Sequence, residues 1–459
     1  MCEKTSGRFL VFVSRYRNLY YNVLENKKYH LLSRGNLVKY KNGYVATRRK
    51  DGLLPEKRFY MVSKRIQKAL LGNSAIRAMF VEGKAMAEKY GAENVYDFSL
   101  GNPATPAPAA LNDAIRALLD ESDAIEGGSL ELHGYMENAG YSEVRQEIAE
   151  NLNKRFGTGF DAHNIIMTVG AAGGLNIIFK TILDPGDEVI VFAPFFGEYR
   201  QYAANFDAEL VTVQPNEADF QPDLTDFEAK ITSKTKGLIV NTPNNPTGVI
   251  YKPETMKKIA EILERKQQEY GTDIYLISDE PYRELVYDGN PEDFLTKYYK
   301  NTLVGYSFSK SLSLPGERIG YVVVPNEASD AEDLIRGIEI SNRTLGFVNA
   351  PSLIQKAVAR CLDEKTDVAF YDENRVMLYE GLTKLGFTCI KPEGAFYLWV
   401  KSPVVNEEDF VNEGKKYNIL MVKGSAFGCP GYVRLVYCVS HETVKKSLAA
   451  FAKLAETYR

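Results

Sequence analysis

Residues 306–321 read YSFSKSLSLPGERIGY, and this stretch decides the fold. The apolar run 302–306 leads into it and is typical of a buried strand. Such a strand would deliver two hydroxyls, the amine of Lys310 and the guanidinium of Arg318 to one place. Hydroxyls and a guanidinium suit a phosphate, which accepts several hydrogen bonds and pairs with arginine in a planar fork.

The amine of Lys310 gives this stretch its chemistry. We expect neighbouring positive charge to lower the pKa of this amine, which could then form an imine with an aldehyde. A phosphate and an aldehyde on one small molecule describe pyridoxal phosphate. The alternative is a surface lysine in a serine-rich turn, which is the more common place for a lysine.

Composition narrows the class of protein. The chain has 459 residues, 45% hydrophobic and 25% charged, with a net charge of −4, as expected for a globular protein without a nucleic-acid or membrane partner. Its five cysteines are scattered and lack CxxC spacing, which favours reduced thiols in a cytoplasmic protein. Four histidines at unrelated positions make a histidine-based metal site or triad unexpected.

The first 60 residues differ from the rest. They hold 14 Lys and Arg against 4 Asp and Glu, and their apolar stretch 9–13 is too short for a signal-peptide core. We predict that residues 1–60 are a basic extension outside the fold and without function. Binding of nucleic acid or anionic lipid is the alternative for such a tail.

From about residue 160, short apolar runs alternate with helical patterns, which indicates a parallel sheet covered by helices. The predicted strands are 165–168, 188–192, 209–213, 237–240, 274–277, 302–306 and 320–324. A C-terminal α+β segment follows, with strands predicted at 388–390, 395–400 and 432–436. We therefore predict an α/β fold with a large domain, whose mostly parallel seven-stranded sheet is covered by helices, and a smaller α+β domain. The predicted division is an arm and part of the small domain at 61–105, the large domain at 106–340 and the small domain at 341–459.

Polar clusters follow three of these strands, where ligands of open α/β sheets bind. Residues 168–174, TVGAAGG, open a helix whose backbone N–H groups could hold an anion. Residues 241–248, NTPNNPTG, and 278–282, SDEPY, end two other strands. Taken singly, each cluster could be only a tight turn or a helix cap.

Taken together and in this order, the motifs resemble those of the fold-type-I pyridoxal-phosphate enzymes, specifically the class I/II aminotransferases related to aspartate aminotransferase. The resemblance covers residues 61–459. It implies a ping-pong reaction that moves an amino group from an L-amino acid to a 2-oxo acid, with 2-oxoglutarate as the expected acceptor. Lys310 would form the imine with the cofactor and then act as the general acid and base.

The resemblance also assigns the residues that hold the cofactor. Its phosphate would be bound by Arg318, Ser307 and the N–H groups of Ala171 and Ala172. Asp279 would keep the pyridine nitrogen protonated, so that the ring accepts electrons. The remaining contacts would be Asn245 and Tyr282 on the ring hydroxyl oxygen and Phe196 stacked on the ring, with Phe195 as the competitor for stacking.

Substrate and partner contacts follow from the same resemblance. Arg434 would clamp the substrate α-carboxylate with Asn245 and the backbone of Gly101, and Phe396 would line the pocket. Arg343 is a candidate for a second substrate carboxylate. Tyr135 would reach the phosphate in a neighbouring subunit, which implies a homodimer with shared sites.

Two other functions stay open. A carbon–sulfur β-lyase of the same fold would release pyruvate and ammonia from a sulfur amino acid without an oxo-acid acceptor. A non-catalytic ligand sensor would need a DNA-binding module, and residues 1–60 show no helix-turn-helix pattern. The donor, whether aspartate, an aromatic amino acid or a broad set, is not decided by these motifs.

Overall fold

The computed structural model describes residues 37–39, 45–49, 52–53, 62–71 and 75–459, in two compact units, Met1–Gly72 and Asn73–Arg459. In the first unit, β1 (Leu37–Lys39), β2 (Val45–Arg49) and β3 (Gly52–Leu53) form an antiparallel sheet. Helix α1 (Lys64–Leu71) follows. Most of the predicted basic extension lies outside the described residues, and its lack of function stays a prediction.

The second unit alternates strands and helices along most of its length. Its strands are β4 (Tyr96–Asp97), β5 (Ile165–Thr168), β6 (Glu188–Phe192), β7 (Glu209–Val213), β8 (Thr235–Val240), β9 (Tyr275–Asp279), β10 (Thr302–Ser307), β11 (Gly320–Val323), β12 (Cys389–Ile390), β13 (Tyr397–Lys401), β14 (Ile419–Leu420), β15 (Val422–Lys423) and β16 (Tyr432–Val436). Its helices are α2 (Ala75–Tyr90), α3 (Ala109–Ala124), α4 (Gly128–His133), α5 (Ser142–Phe156), α6 (Gly170–Ile182), α7 (Tyr199–Ala204), α8 (Leu224–Lys230), α9 (Pro253–Tyr270), α10 (Phe308–Ser311), α11 (Ala331–Thr344), α12 (Ser352–Ala359), α13 (Val368–Lys384), α14 (Glu407–Lys416) and α15 (His441–Glu456).

A seven-stranded sheet with the order β5-β11-β10-β9-β8-β6-β7 forms the centre of this unit. Its strands are parallel except β11, which runs antiparallel to both of its neighbours. This confirms the predicted mostly parallel sheet. Strands β9 and β10 run one or two residues further than predicted, so Asp279 and Ser307 are their last residues.

Both faces of the sheet are buried, which explains why its strands are continuous apolar runs. Ile239 and Ile277 pack on one face in a cluster that includes residues of α6 and α11. Leu238 and Leu276, one residue earlier on the same strands, pack on the other face against α9. Successive strand residues point to opposite faces, so each strand packs against both helix layers. Because the strands other than β11 are parallel, their polar carboxyl ends lie at one edge of the sheet, between these layers.

A second, antiparallel sheet has the order β12-β13-β16-β15 and lies near the C-terminus. Strand β14 pairs in parallel with β4, so residues 96–97 join this region although they precede the large sheet in sequence. Helix α12, by contrast, contributes Ala357 and Val358 to the apolar cluster around α3 and α5. The predicted domain boundaries stay a prediction. Among the described helices, none combines the length and the apolar character needed to cross a bilayer.

Candidate active site

A cavity of about 270 Å³ lies at the carboxyl ends of the central strands. Every predicted site residue lines it except Tyr135, Phe396 and the candidate Arg343. The lining comes from the ends of β9 and β10, the first turn of α6, and β13 and β16 of the second sheet. Residues as far apart in the chain as Leu100 and Arg434, 334 positions, therefore meet at one site.

Lys310 lies in the short helix α10, directly after β10, and its Nζ donates a hydrogen bond to the backbone oxygen of Gly101 at 2.6 Å. Burial lowers the pKa of this amine to about 8, and the positive charges of Arg434 and Arg318 add to the effect, while Cys438 opposes it. The direction is the one that the sequence predicts. The sequence predicts neighbouring positive charge as the cause, whereas loss of solvent lowers the pKa more than the neighbouring charges do.

Asp279 ends β9 with a side chain that is 6% exposed. Its Oδ2 accepts a hydrogen bond from the Tyr199 hydroxyl at 2.5 Å, whereas its Oδ1 has no partner. Burial raises the pKa of this carboxyl to about 7, Glu280 raises it further and the hydrogen bond from Tyr199 opposes the rise. A buried acceptor without a donor is costly, so the site suits a ligand with a cationic N–H group.

The other end of the cavity is suited to an anion. Ala171 and Ala172 lie in the first turn of α6, where backbone N–H groups have no helical partner. Arg318 crosses this turn so closely that a Cβ at Gly170 would lie 2.9 Å from one of its guanidinium nitrogens, and Gly170 has a φ of +77°. Ser307 adds a hydroxyl at the end of β10. A helix N-terminus, a guanidinium and a hydroxyl together suit a phosphate.

Two neighbouring phenylalanines compete for the face of the cavity. Phe195 is 1% exposed and packs in the core, in the cluster that contains Tyr199. Phe196 is only partly buried and lines the cavity. The geometry therefore favours Phe196 as the ring that would stack on a flat ligand.

Arg434 is a buried cation at the cavity wall, 2% exposed on β16. Its two terminal nitrogens donate to Asn245 Oδ1 at 3.0 Å and to the backbone oxygen of Ser99 at 2.6 Å, and its Nε has no partner. No ion pair forms between Arg434 and an acidic side chain in the part of the chain that the structure describes. Burial lowers the pKa of the guanidinium, as expected for a charge without a counterion. A ligand carboxylate would supply that counterion.

The remaining predicted residues lie outside the cavity lining. Phe396 is fully buried behind the wall, with its ring centre 5.1 Å from Lys310 Nζ. Tyr135 is 97% exposed, and Arg343 is exposed near the end of α11. The roles predicted for these three residues stay predictions.

Sequence reasoning missed two tyrosines. Tyr199 reaches Asp279, and Tyr397 lines the cavity and makes a hydrogen bond with Tyr282. Strand alternation gives a signal for Tyr397, because Phe396 and Tyr397 must point to opposite faces and only one of them can line the cavity. Tyr199 begins a helix 80 positions before Asp279 in the chain, and the sequence gives no local signal for their contact.

Comparison with known proteins shows the family to which the chain is similar. The family model "Aminotransferase class I and II" matches residues 93–451. The probable aspartate/prephenate aminotransferase of Aquifex aeolicus is 32% identical over 392 residues, which cover 82% of this chain and 95% of that protein. The crystal structure of an amino transferase from Eubacterium rectale is 46% identical, with a TM-score of 0.84, covering 87% of this chain and all of the other. The structure of Thermus thermophilus aspartate aminotransferase with maleate is 28% identical, with a TM-score of 0.75, and the match covers 86% of this chain and 100% of that chain.

Enzymes of this family use pyridoxal phosphate, and the described residues fit that cofactor at both ends. The free Oδ1 of Asp279 suits the protonated pyridine nitrogen, and Arg318 with the N-terminus of α6 suits the phosphate. The amine of Lys310 lies in the same cavity, where it suits the aldehyde. By its fold, its cavity and its sequence, this chain belongs to the class I and II aminotransferases.

Proposed function

We propose that this protein moves the amino group of an L-amino acid to a 2-oxo acid, with 2-oxoglutarate as the acceptor and Lys310 as the residue that carries pyridoxal phosphate. The observation that carries the proposal is the meeting of three groups in one cavity: the amine of Lys310, the unpartnered oxygen of Asp279 and the unpaired guanidinium of Arg434. An amine, a site for a protonated ring nitrogen and a site for a carboxylate are what amino transfer needs.

The bound cofactor supplies an aldehyde carbon and a ring that accepts electrons. Asp279 holds the proton on the ring nitrogen, and Asn245 and Tyr282 bind the ring oxygen. Lys310 moves the proton at the substrate Cα. Its pKa of about 8 lets the amine take up and release a proton near neutral pH.

The proposed phosphate contacts use the first turn of α6. Ala171 and Ala172 donate backbone N–H groups, Ser307 contributes its hydroxyl and Arg318 its charge. Phe196 covers one face of the ring. The proposed contacts are supported by the place of all five residues in the lining of a single cavity.

Arg434 binds the α-carboxylate of the amino acid, with Asn245 and the backbone of Gly101 beside it. Because Arg434 is buried, a bound carboxylate meets its guanidinium with little competition from water. The relatives named aspartate aminotransferase make aspartate the first donor to test. Arg343 remains the candidate for a distal carboxylate.

We further propose a cytoplasmic homodimer in which Tyr135 reaches the site of the second subunit. The side chain of Tyr135 is 97% exposed in the single chain, which supports a contact outside it. The cytoplasmic location is supported by free thiols at Cys361, Cys389, Cys429 and Cys438 among the described residues.

Borohydride reduction followed by peptide mass mapping tests the proposal directly. Reduction converts an imine between Lys310 and the cofactor into a stable amine, so the label must map to the peptide that contains Lys310.

A panel of amino acids with and without 2-oxoglutarate then separates amino transfer from β-lyase activity. An aminotransferase needs the acceptor for turnover, whereas a β-lyase releases ammonia without it. Absence of label at Lys310, or acceptor-independent turnover, would overturn the proposal.

A further inference from the structure

Tyr397 makes contacts that no motif of the sequence assigns to it. It lies on β13 in the second sheet, and its hydroxyl oxygen is 2.5 Å from the hydroxyl oxygen of Tyr282, which follows β9 of the central sheet. Both side chains line the cavity, and they are 2% and 6% exposed. A buried hydroxyl pair therefore bridges the two sheets at the site.

The surroundings leave Tyr397 a single hydrogen-bond partner. Across residues 79–459, whose side chains the structure describes, its hydroxyl bonds only to Tyr282. The guanidinium of Arg434 lies over its ring, 4.7 Å from the centre, and the hydroxyl would meet a Cβ at Gly101 at 2.8 Å. The ring is thus held between Arg434 and the loop that accepts the hydrogen bond from Lys310.

Hydrogen counting decides which hydroxyl donates when the cofactor is bound. The Tyr282 hydroxyl carries one hydrogen, and the proposed function commits that hydrogen to the ring oxygen of the cofactor. In the bond between the two hydroxyls Tyr282 is then the acceptor and Tyr397 the donor.

We propose that Tyr397 is a positioning residue that fixes Tyr282 through this hydrogen bond and directs the Tyr282 hydrogen into the cavity, onto the ring oxygen of the cofactor. The inference rests on the proposed function, since it concerns how Tyr282 meets pyridoxal phosphate. A hydrogen-bond donor that is held in place stabilises the anionic form of the ring oxygen. The imine nitrogen of Lys310, which shares a proton with that oxygen, then has a lower proton affinity.

The test is Tyr397→Phe, which keeps the ring beneath Arg434 and removes only the hydroxyl. We expect the dissociation constant for pyridoxal phosphate to rise by about three- to tenfold, which corresponds to the loss of one buried hydrogen bond. We also expect the pH midpoint of the bound cofactor's visible absorbance to move upward. Tyr287→Phe is the matched control, because Tyr287 is a buried tyrosine whose hydroxyl donates to the backbone of Ala395 and does not line the cavity.

A double-mutant cycle separates positioning from simple structural support. If Tyr397 acts through Tyr282, adding Tyr397→Phe to Tyr282→Phe changes neither the dissociation constant nor the absorbance midpoint further. Equal, additive effects in both backgrounds would overturn the proposal, and so would an unchanged midpoint in Tyr397→Phe alone.

A second variant covers the case in which Tyr397→Phe does not fold. Incorporation of 3-fluorotyrosine at position 397 makes that hydroxyl more acidic and a stronger donor, so the midpoint should move downward, opposite to the shift in Tyr397→Phe. An unchanged or upward midpoint would contradict the proposal. Failure of the proposed function itself looks different, because then the unsubstituted protein would bind no cofactor and show no visible absorbance to titrate.

Discussion

Replacing Asp279 by asparagine should stabilise the cofactor-free protein at alkaline pH and weaken its binding of pyridoxal phosphate. The carboxyl is buried, and its Oδ1 has no partner, so ionisation places an incompletely solvated charge in the protein. An amide of the same shape carries no charge and can still bond to the hydroxyl of Tyr199. The variant thus removes a penalty that the unsubstituted protein incurs only when Asp279 ionises.

The magnitude follows from the pKa of Asp279, which burial raises from 3.8 to about 7. Because the folded state holds this proton more tightly than the unfolded state, stability falls as the pH rises from the lower value to the higher one. At about 1.4 kcal/mol per tenfold change in proton affinity, the whole penalty is about 4 kcal/mol. Of this, about 3 kcal/mol arises between about pH 5 and about pH 8.

Urea unfolding of the cofactor-free proteins at these two pH values, at one protein concentration, measures the effect. The free energy of unfolding of Asp279→Asn, minus that of the unsubstituted protein, should be larger at the higher pH by about 3 kcal/mol. Asp288→Asn is the control, because hydrogen bonds from Arg375 and Lys391 hold the pKa of Asp288 below its ordinary value, and it stays ionised at both pH values.

Asp279→Asn should stabilise the cofactor-free protein but weaken the binding of pyridoxal phosphate. The ring nitrogen loses a charged partner, so Asp279→Asn should bind the cofactor about tenfold to a hundredfold more weakly. A difference in unfolding free energy that does not change with pH would refute the burial argument. A variant that binds cofactor as tightly as the unsubstituted protein would refute the proposed role of Asp279 at the ring nitrogen.

The other predictions concern the amine, the carboxylate site and the ring face. Lys310→Ala should fold and bind pyridoxal phosphate without a covalent bond, so borohydride should leave it unlabelled and turnover should be lost. Arg434→Met should raise the KM for the amino acid about tenfold to a hundredfold in steady-state kinetics, because the carboxylate loses a charged hydrogen-bond donor. Phe196→Leu should weaken cofactor binding with little change in stability, whereas Phe195→Leu should lower the free energy of unfolding by about 1–3 kcal/mol. The opposite pattern in the two phenylalanine variants would show that Phe195 is the stacking ring.

The central sheet could be predicted from the sequence because both of its faces are buried. A strand of this kind is an apolar run, as at β5 and β6, whose predicted bounds match the structure. The ends of β9 and β10 were predicted short, because Asp279 and Ser307 are polar and do not continue the apolar run. Backbone pairing extends through these residues, to Gly305 from Asp279 and to Gly320 from Ser307, so the sheet itself holds both polar side chains at the cavity.

The contacts between the two sheets could not be predicted in the same way. Tyr282 and Tyr397 are 115 positions apart, and neither residue carries a local signal for the other. The same holds for the desolvation of Lys310, which depends on packing by distant parts of the chain, such as the backbone of Gly101, which accepts a hydrogen bond from its amine. Motifs report which chemical groups are present, whereas burial and pairing depend on the assembled fold.

The unpaired groups of the site have a common origin. Asp279 and Arg434 are buried and Lys310 is partly buried, and the pKa of each is shifted in favour of the neutral form mainly by loss of solvent. Two of them, Asp279 and Arg434, also keep a polar atom without a partner. Such an arrangement costs stability in the cofactor-free protein. A cofactor that brings a cationic nitrogen to Asp279 and a substrate that brings a carboxylate to Arg434 recover it together. The stability that the cofactor-free protein lacks is therefore available as binding energy for cofactor and substrate, which explains why substitution at Asp279 should affect stability and cofactor binding in opposite directions.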